Sequence, residues 1–169
     1  MSVQSGQNPT RLIILLVLGG LCLLGCCVFL PAILFPVFSQ AREMARLEKC
    51  MDNLKALALA QQLYANDHND QLPIASQWGD LIRPYVKTPD QYRCPSIPQG
   101  QGFGYAMNVR LSRQKVSRLT TPGQVPLLYD SSNLAWNAHD PLTSLPNPPR
   151  HMRRVNNIAF ADGHVKAVR

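Results

Sequence analysis

The sequence predicts an α+β fold in which one long N-terminal helix packs on a small antiparallel β-sheet. Residues 12–38 form an apolar stretch without a charged side chain, and residues 39–66 repeat apolar side chains at helical spacing. Short apolar segments separated by turn residues follow between positions 103 and 168. Since the apolar stripe of an amphipathic helix has to be covered, we expect the sheet to pack on residues 39–66.

The apolar stretch predicts a transmembrane helix over residues 12–38. It exceeds the about 20 apolar residues that cross a bilayer core. The polar residues 1–11 before it are predicted to be disordered. We favour a permanent signal anchor over two alternatives, a signal peptide cleaved at Ser39-Gln40-Ala41 and a lipobox that makes Cys26 the lipidated first residue. The stretch is long for a signal peptide, and Leu24 fits the lipobox pattern poorly.

Residues 39–66 are predicted to continue this helix, because no Gly or Pro interrupts them. Their stripe comprises Leu47, Met51, Leu54, Ala58, Gln61 and Tyr64. A polar run at residues 66–70 then ends the helix. Asp67, Asn69 and Asp70 offer calcium ligands, but the run lacks the length and the closing Glu of an EF-hand loop. A turn is therefore the favoured interpretation.

Residues 67–169 are predicted to supply loops and the sheet. Asp162-Gly163 lies between two apolar segments and predicts a hairpin, because a tight turn needs residues that accept positive φ. Strands are predicted at 103–111, 124–129, 155–160 and 164–168, and Pro-rich loops at 88–104 and 132–150.

The chain has a net charge of +7. One interpretation of its basic clusters is a solvated surface, which we favour. The other is a face formed by Arg150, Arg153 and Arg154 that binds an anionic ligand such as lipid or DNA. No aromatic residues are interleaved with the basic ones for base stacking, so the sequence gives nucleic acid little support as a partner.

The five cysteines fall into two groups. Cys22, Cys26 and Cys27 lie in the apolar stretch, where they act as small hydrophobes. Cys50 and Cys94 are a natural disulfide pair if the domain is exported, and two free thiols if it faces the cytosol. We expect no metal site there, because neither cysteine has a CxxC partner.

Charge alone does not favour export. Arg11 is the one basic residue before the apolar stretch, and several follow it: Arg42, Arg46, Lys49 and Lys55. Counted naively, the positive-inside rule puts the C-terminal domain in the cytoplasm.

Several segments resemble, in the same order, prepilin-like proteins of the H-X9-DG type. They include residues 32–46 (AILFPVFSQAREMAR), 50–55 (CMDNLK), 93–96 (RCPS) and the C-terminal run with His151, Asp162, Gly163 and His164. The resemblance covers most of residues 32–168. It implies a type IV pilin-like fold on the outer side of a bacterial cytoplasmic membrane. It also implies relationship to subunits of type II secretion pseudopili, which assemble with other pilin-like subunits through the long helix.

The chain departs from prepilins at its N-terminus. Where prepilins carry a cleavage Gly followed by a Glu, residues 8–15 read NPTRLIIL, and the first Glu is Glu43. Peptidase processing and entry into a filament therefore remain open.

The sequence predicts a structural protein rather than an enzyme. His151, Asp162 and His164 have ligand chemistry, but the turn already explains Asp162. We therefore expect no catalytic residue, metal or cofactor. The favoured function is a membrane-anchored pilin-like structural or assembly protein, with lipid and other pilin-like subunits as partners. The alternative is an anchored module whose basic face binds an anionic ligand.

Overall fold

A computed structural model describes residues 9–152 and 154–169, without the side chains at positions 9, 22, 26 and 28–33. The predicted disordered tail falls mostly on residues 1–8, which lie outside the described residues, while residues 9–11 are helical. Two compact units divide the chain between Arg42 and Glu43.

Helix α1 spans Pro9–Asp67, 59 residues. In the first unit its described apolar side chains are exposed, with Leu16 at 68% and Phe35 at 78%. Across the described residues, we find no helix whose length and apolar character suffice for crossing a membrane. The side chains at positions 22, 26 and 28–33 of the predicted span lie outside the described part of the structure. They include Cys26, the cysteine of the lipobox alternative.

In the second unit, α1 buries one stripe against the sheet. Leu54, Leu57 and Ala58 are each 0% exposed, and Gln61 of the predicted stripe is buried with them. The helix ends in a turn where Asn69 and Asp70 have φ of 55° and 65°. The carboxylate of Asp67 accepts a hydrogen bond from the Tyr85 hydroxyl at 2.7 Å, and that of Asp70 accepts one from the Ser117 amide at 3.1 Å. The helix therefore ends in a turn, as predicted, and these two carboxylates bind Tyr85 and Ser117 of neighbouring segments.

A five-stranded sheet follows the helix. Its strands are β1 (Tyr105–Asn108), β2 (Pro126–Asp130), β3 (His139–Asp140), β4 (Asn156–Phe160) and β5 (Val165–Val168), in the order β3-β1-β2-β4-β5. A four-residue helix, α2 (Trp78–Leu81), and short 3₁₀ turns make the connections. The hairpin predicted at Asp162-Gly163 joins β4 to β5, with Gly163 at φ 91°.

The prediction of a purely antiparallel sheet was wrong in one respect. Strand β3, within the predicted loop 132–150, pairs parallel with β1, while the other pairings are antiparallel. The sheet is therefore mixed. A strand of two residues has no period-two pattern that a sequence could reveal.

Both faces of the central strands are covered. Tyr105 and Met107 pack in the core shared with α1. Ala106 and Tyr129 point into a smaller core with Ala138 and Ile158, which Leu142 and Leu145 help to close. Leu142 and Leu145 thus belong to a third layer, whereas β3 of the same segment lies in the sheet itself. This layer explains why β1 is buried at every position, rather than at alternate ones.

The stripe on α1 yields a matched pair of substitutions. Leu57→Ala leaves a cavity in the core and should lower the free energy of unfolding by about 2–5 kcal/mol. Leu59→Ala, one half-turn away at 53% exposure, should change it by less than about 0.5 kcal/mol. Urea denaturation of the full chain in detergent, followed by tryptophan fluorescence, measures both. Equal effects would contradict the packing of this stripe.

Candidate functional site

The most concentrated chemistry in the described residues lies where α1 meets the loop at Cys94. The sulfurs of Cys50 and Cys94 are 2.27 Å apart in a disulfide, with the Cα atoms 5.2 Å apart, and both residues are 0% exposed. The Cys94 amide donates to the Phe103 carbonyl at 2.9 Å, which fixes the loop against the start of β1. Closing a loop in this way stabilises a domain by about 2–4 kcal/mol.

Asp130, the last residue of β2, brings a negative charge into this buried region. Its side chain is 0% exposed, and that of His151 is 1% exposed, with Nε2 of His151 3.0 Å from Oδ2 of Asp130. The backbone amide of Asn157 donates to Oδ2 at 2.6 Å, and Nη1 of Arg150 lies 3.7 Å from Oδ1. We call the following five residues the Asp130 cluster: Cys50, Cys94, Asp130, Arg150 and His151.

Arg150 is held inside the domain, with its side chain only 11% exposed. Its Nη1 donates to the Gly104 carbonyl at 2.8 Å and its Nη2 donates to the Ser131 carbonyl. Burial lowers the pKa of the Arg150 guanidinium, and the charge of Asp130 opposes that change. The guanidinium therefore serves as an internal counterion.

The structure corrects the suggested anionic-ligand face. That face required Arg150, Arg153 and Arg154 on one surface, but Arg150 turns inward to Asp130. Arg153 lies outside the described residues, and Arg154 is exposed in a turn with φ of 55°. The sequence predicts Arg150 at the surface, because charged side chains are rarely buried without a partner. Its partner, Asp130, is distant in the sequence.

His151 joins the charge pair to the disulfide. Its Nε2 lies 3.9 Å from Sγ of Cys94, and its Nδ1 lies 3.2 Å from Oγ of Ser96. The hydroxyl of Ser96 thus fixes the orientation of the ring. Sequence reasoning singled out Cys94 and His151 but missed Asp130, which looked like the first residue of a turn after a short apolar run.

The other residues of the C-terminal motif lie elsewhere. Asp162 and His164 form an exposed pair at the β4–β5 turn, with Nδ1 of His164 2.6 Å from Oδ1 of Asp162. Although burial raises the pKa of Asp162, hydrogen bonds from the His164 backbone and ring hold it below its ordinary value. Gly163 gives the turn its positive φ. Among the described residues, the structure brings His151 to the Asp130 cluster and leaves Asp162 and His164 at the hairpin.

A second feature is an apolar groove of about 500 Å³ beside α2. It is lined by Arg83, Val86, Pro89, Tyr92, Phe103 and Trp136. Asp80 fixes the edge of the groove, because its carboxylate accepts hydrogen bonds from Asn137 at 2.7 Å and from the Trp136 indole at 3.0 Å. These two bonds, that of Asn137 first, lower the pKa of Asp80.

The Asp130 cluster is enclosed, so it lacks the access to solvent that turnover of a substrate requires. What the arrangement can do is neutralise a buried charge and join α1, β2 and the segment before β4 into one body. Comparison with family models, with curated protein sequences and with solved structures gave no match to this chain.

Arg150→Gln tests the role of the internal counterion. Removing one partner leaves the carboxylate of Asp130 buried with less compensation, which should lower the free energy of unfolding by about 3–5 kcal/mol. The matched control is Arg154→Gln, which removes an equal charge from an exposed residue and should cost less than about 0.5 kcal/mol. Urea denaturation at neutral pH measures both, and a stable Arg150→Gln variant would contradict the assignment.

The lowered pKa of Asp80 predicts a pH-dependent contribution to stability. A carboxyl group with a lowered pKa in the folded state stabilises the fold above its unfolded pKa of about 3.9, and the contribution is lost as the pH falls through the folded value. The difference in urea midpoint between wild type and Asp80→Ala should hold steady from neutral pH down to about pH 5 and shrink below about pH 4. Asp90→Ala controls for the loss of one exposed charge. A difference that grows on acidification would contradict the prediction.

Proposed function

We propose that this chain is a membrane-anchored, pilin-like structural or assembly protein without catalytic activity. In this proposal residues 12–38 are held in a bacterial cytoplasmic membrane, and the domain of residues 43–169 lies on its outer side. The observation that carries the proposal is the row of exposed apolar side chains on the first part of α1.

These side chains contrast with the rest of the same helix. Between positions 12 and 24, the large apolar residues for which exposure is described are 52–69% exposed, whereas Leu54 and Leu57 are 0% exposed. A soluble surface rarely carries so large a continuous apolar area, which marks a membrane or protein contact. Lipid and the apolar faces of other long helices both supply that contact, as the pilin-like role requires.

The disulfide supports the outer location. Disulfides persist in oxidising compartments outside the cytoplasm, and Cys50–Cys94 joins the helix to the loop in the described domain. The helix packed on a sheet is also the architecture expected of a pilin-like domain. The resemblance of residues 32–46, 93–96 and the C-terminal run to prepilin-like proteins is a further support for the proposal. The alternative module with a basic face loses support, because the side chain of Arg150 is only 11% exposed and turns towards Asp130.

Membrane retention tests the anchor. The full chain, expressed in a bacterium, should stay in the membrane pellet after an alkaline carbonate wash. Leu21→Lys with Leu24→Lys should move it to the supernatant, since each charge at a helix centre costs about 2.5–3.5 kcal/mol of insertion. The control, Leu59→Lys with Leu63→Lys, adds the same charges to exposed positions of the second unit and should leave retention unchanged. Release of the wild type by the wash would contradict the anchor.

A photo-crosslinker at Leu18 tests assembly separately. In intact membranes it should form adducts with a second copy of this chain or with another single-helix subunit. The same crosslinker at exposed Arg118, far along the chain in the sheet domain, is the control. Adducts with lipid alone at Leu18 would contradict assembly through the helix while leaving the anchor in place.

A further inference from the structure

We propose that the chain, when its disulfide is reduced, binds one Zn²⁺ ion inside the Asp130 cluster. The four ligands are Cys50, Cys94, Asp130 and His151. The sequence argued against a metal at the two cysteines because neither belongs to a CxxC pair, but here the ligands come from four separate segments of the chain. The inference stands independently of the membrane role.

The geometry fits a tetrahedral site. The two sulfurs, a ring nitrogen of His151 and a carboxylate oxygen of Asp130 all lie within 4.8 Å of one another. Ligand atoms around tetrahedral zinc lie about 3.3–3.8 Å apart, given bond lengths of about 2.0–2.3 Å. The 3.9 Å from Sγ of Cys94 to Nε2 of His151 and the 3.0 Å from Nε2 to Oδ2 of Asp130 are close to these values. Reduction breaks the bond that holds the two sulfurs 2.27 Å apart, so that they are free to separate towards this spacing.

The surroundings also suit a closed zinc site. Nδ1 of His151 lies 3.2 Å from Oγ of Ser96, and zinc-binding histidines commonly have their second nitrogen hydrogen-bonded in this way. Oδ1 of Asp130 is buried without a hydrogen-bond partner among the described residues, so the carboxylate has an oxygen to spare.

The charges balance as well. Two thiolates and one carboxylate carry three negative charges, and Zn²⁺ leaves one of them uncompensated. The guanidinium of Arg150, with Nη1 3.7 Å from Oδ1 of Asp130, supplies the remaining positive charge. A buried site of zero net charge avoids the cost of burying an ion without a partner.

The two states exchange by defined steps. A dithiol reductant transfers two electrons and two protons to the Cys50–Cys94 disulfide, which becomes two thiols while the reductant becomes a disulfide. Zn²⁺ then displaces one proton from each thiol as the two Zn–S bonds form, and Nε2 of His151 and Asp130 complete the coordination. A disulfide oxidant reverses the process: it takes up two electrons and two protons and becomes two thiols, while the two Zn–S bonds break, the S–S bond of Cys50 and Cys94 forms again and Zn²⁺ is released.

Cobalt substitution tests the site with the full-length chain in detergent. The chain is reduced with a phosphine, freed of metal and titrated with Co²⁺. We expect one equivalent to give a thiolate-to-cobalt charge-transfer band and the intense ligand-field bands of tetrahedral cobalt, both displaced by one equivalent of Zn²⁺. The unreduced chain should show neither band. No bands after reduction, or equal bands in the oxidised chain, would overturn the proposal.

Variants then identify the ligands. His151→Ala should weaken Co²⁺ binding at least about tenfold, while His164→Ala, which removes an exposed histidine from a similar Asp–His pair, should not change it. His151→Cys keeps a ligand at the position and should bind with a stronger charge-transfer band from a third thiolate. This second variant decides the matter if His151→Ala does not fold, because an unchanged spectrum would exclude His151 from the site.

Discussion

The buried carboxylate of Asp130 constrains much of the domain around it. A charge at 0% exposure has to be compensated nearby, and the chain supplies Arg150, His151 and the backbone amide of Asn157. Because Arg150 also binds the Gly104 carbonyl, the same charge fixes the start of β1. Strands β1, β2 and β4 therefore meet at this carboxylate, and the disulfide adds α1 to the same point. The contacts of this one charge thus link four segments of the domain.

The second requirement of the fold is a cover for each face of the sheet. On one face, α1 supplies Leu54 and Leu57 to the larger core. On the other, the segment between β2 and β4 supplies Leu142 and Leu145, and the Tyr129 hydroxyl donates to the Asp140 carboxylate at 2.6 Å to hold that segment down. Burial raises the pKa of Tyr129, so this hydroxyl keeps its proton and remains a donor. The long Pro-rich segment between β2 and β4 is therefore part of the packed domain rather than a loop that projects from it.

How far the sequence predicts this structure depends on the range of the interactions. The stripe on α1 and the hairpin at Gly163 follow from local spacing and turn chemistry, so both could be anticipated. The predicted α+β architecture, with a long helix on a sheet, is confirmed, and it too rests on these local patterns. Strand β3 and the role of Asp130 could not be anticipated, because each depends on residues brought together from distant parts of the chain. The prediction of Arg150 at the surface was wrong for that reason. Its place in a basic cluster of the sequence is typical of a surface, and only the tertiary structure reveals the carboxylate that it neutralises.

The ends of the sheet have a consequence for how copies of this chain can meet. Strand β3 at one edge has only two residues, and β5 at the other has four, with Lys166 exposed. Short edges that carry a charge are poor templates for adding a strand from a neighbouring molecule. A high local concentration of the domain would therefore not lead copies to join through these edges. The two edge strands of this sheet thus disfavour fibrillar aggregation, which begins when strands of neighbouring molecules pair at exposed edges.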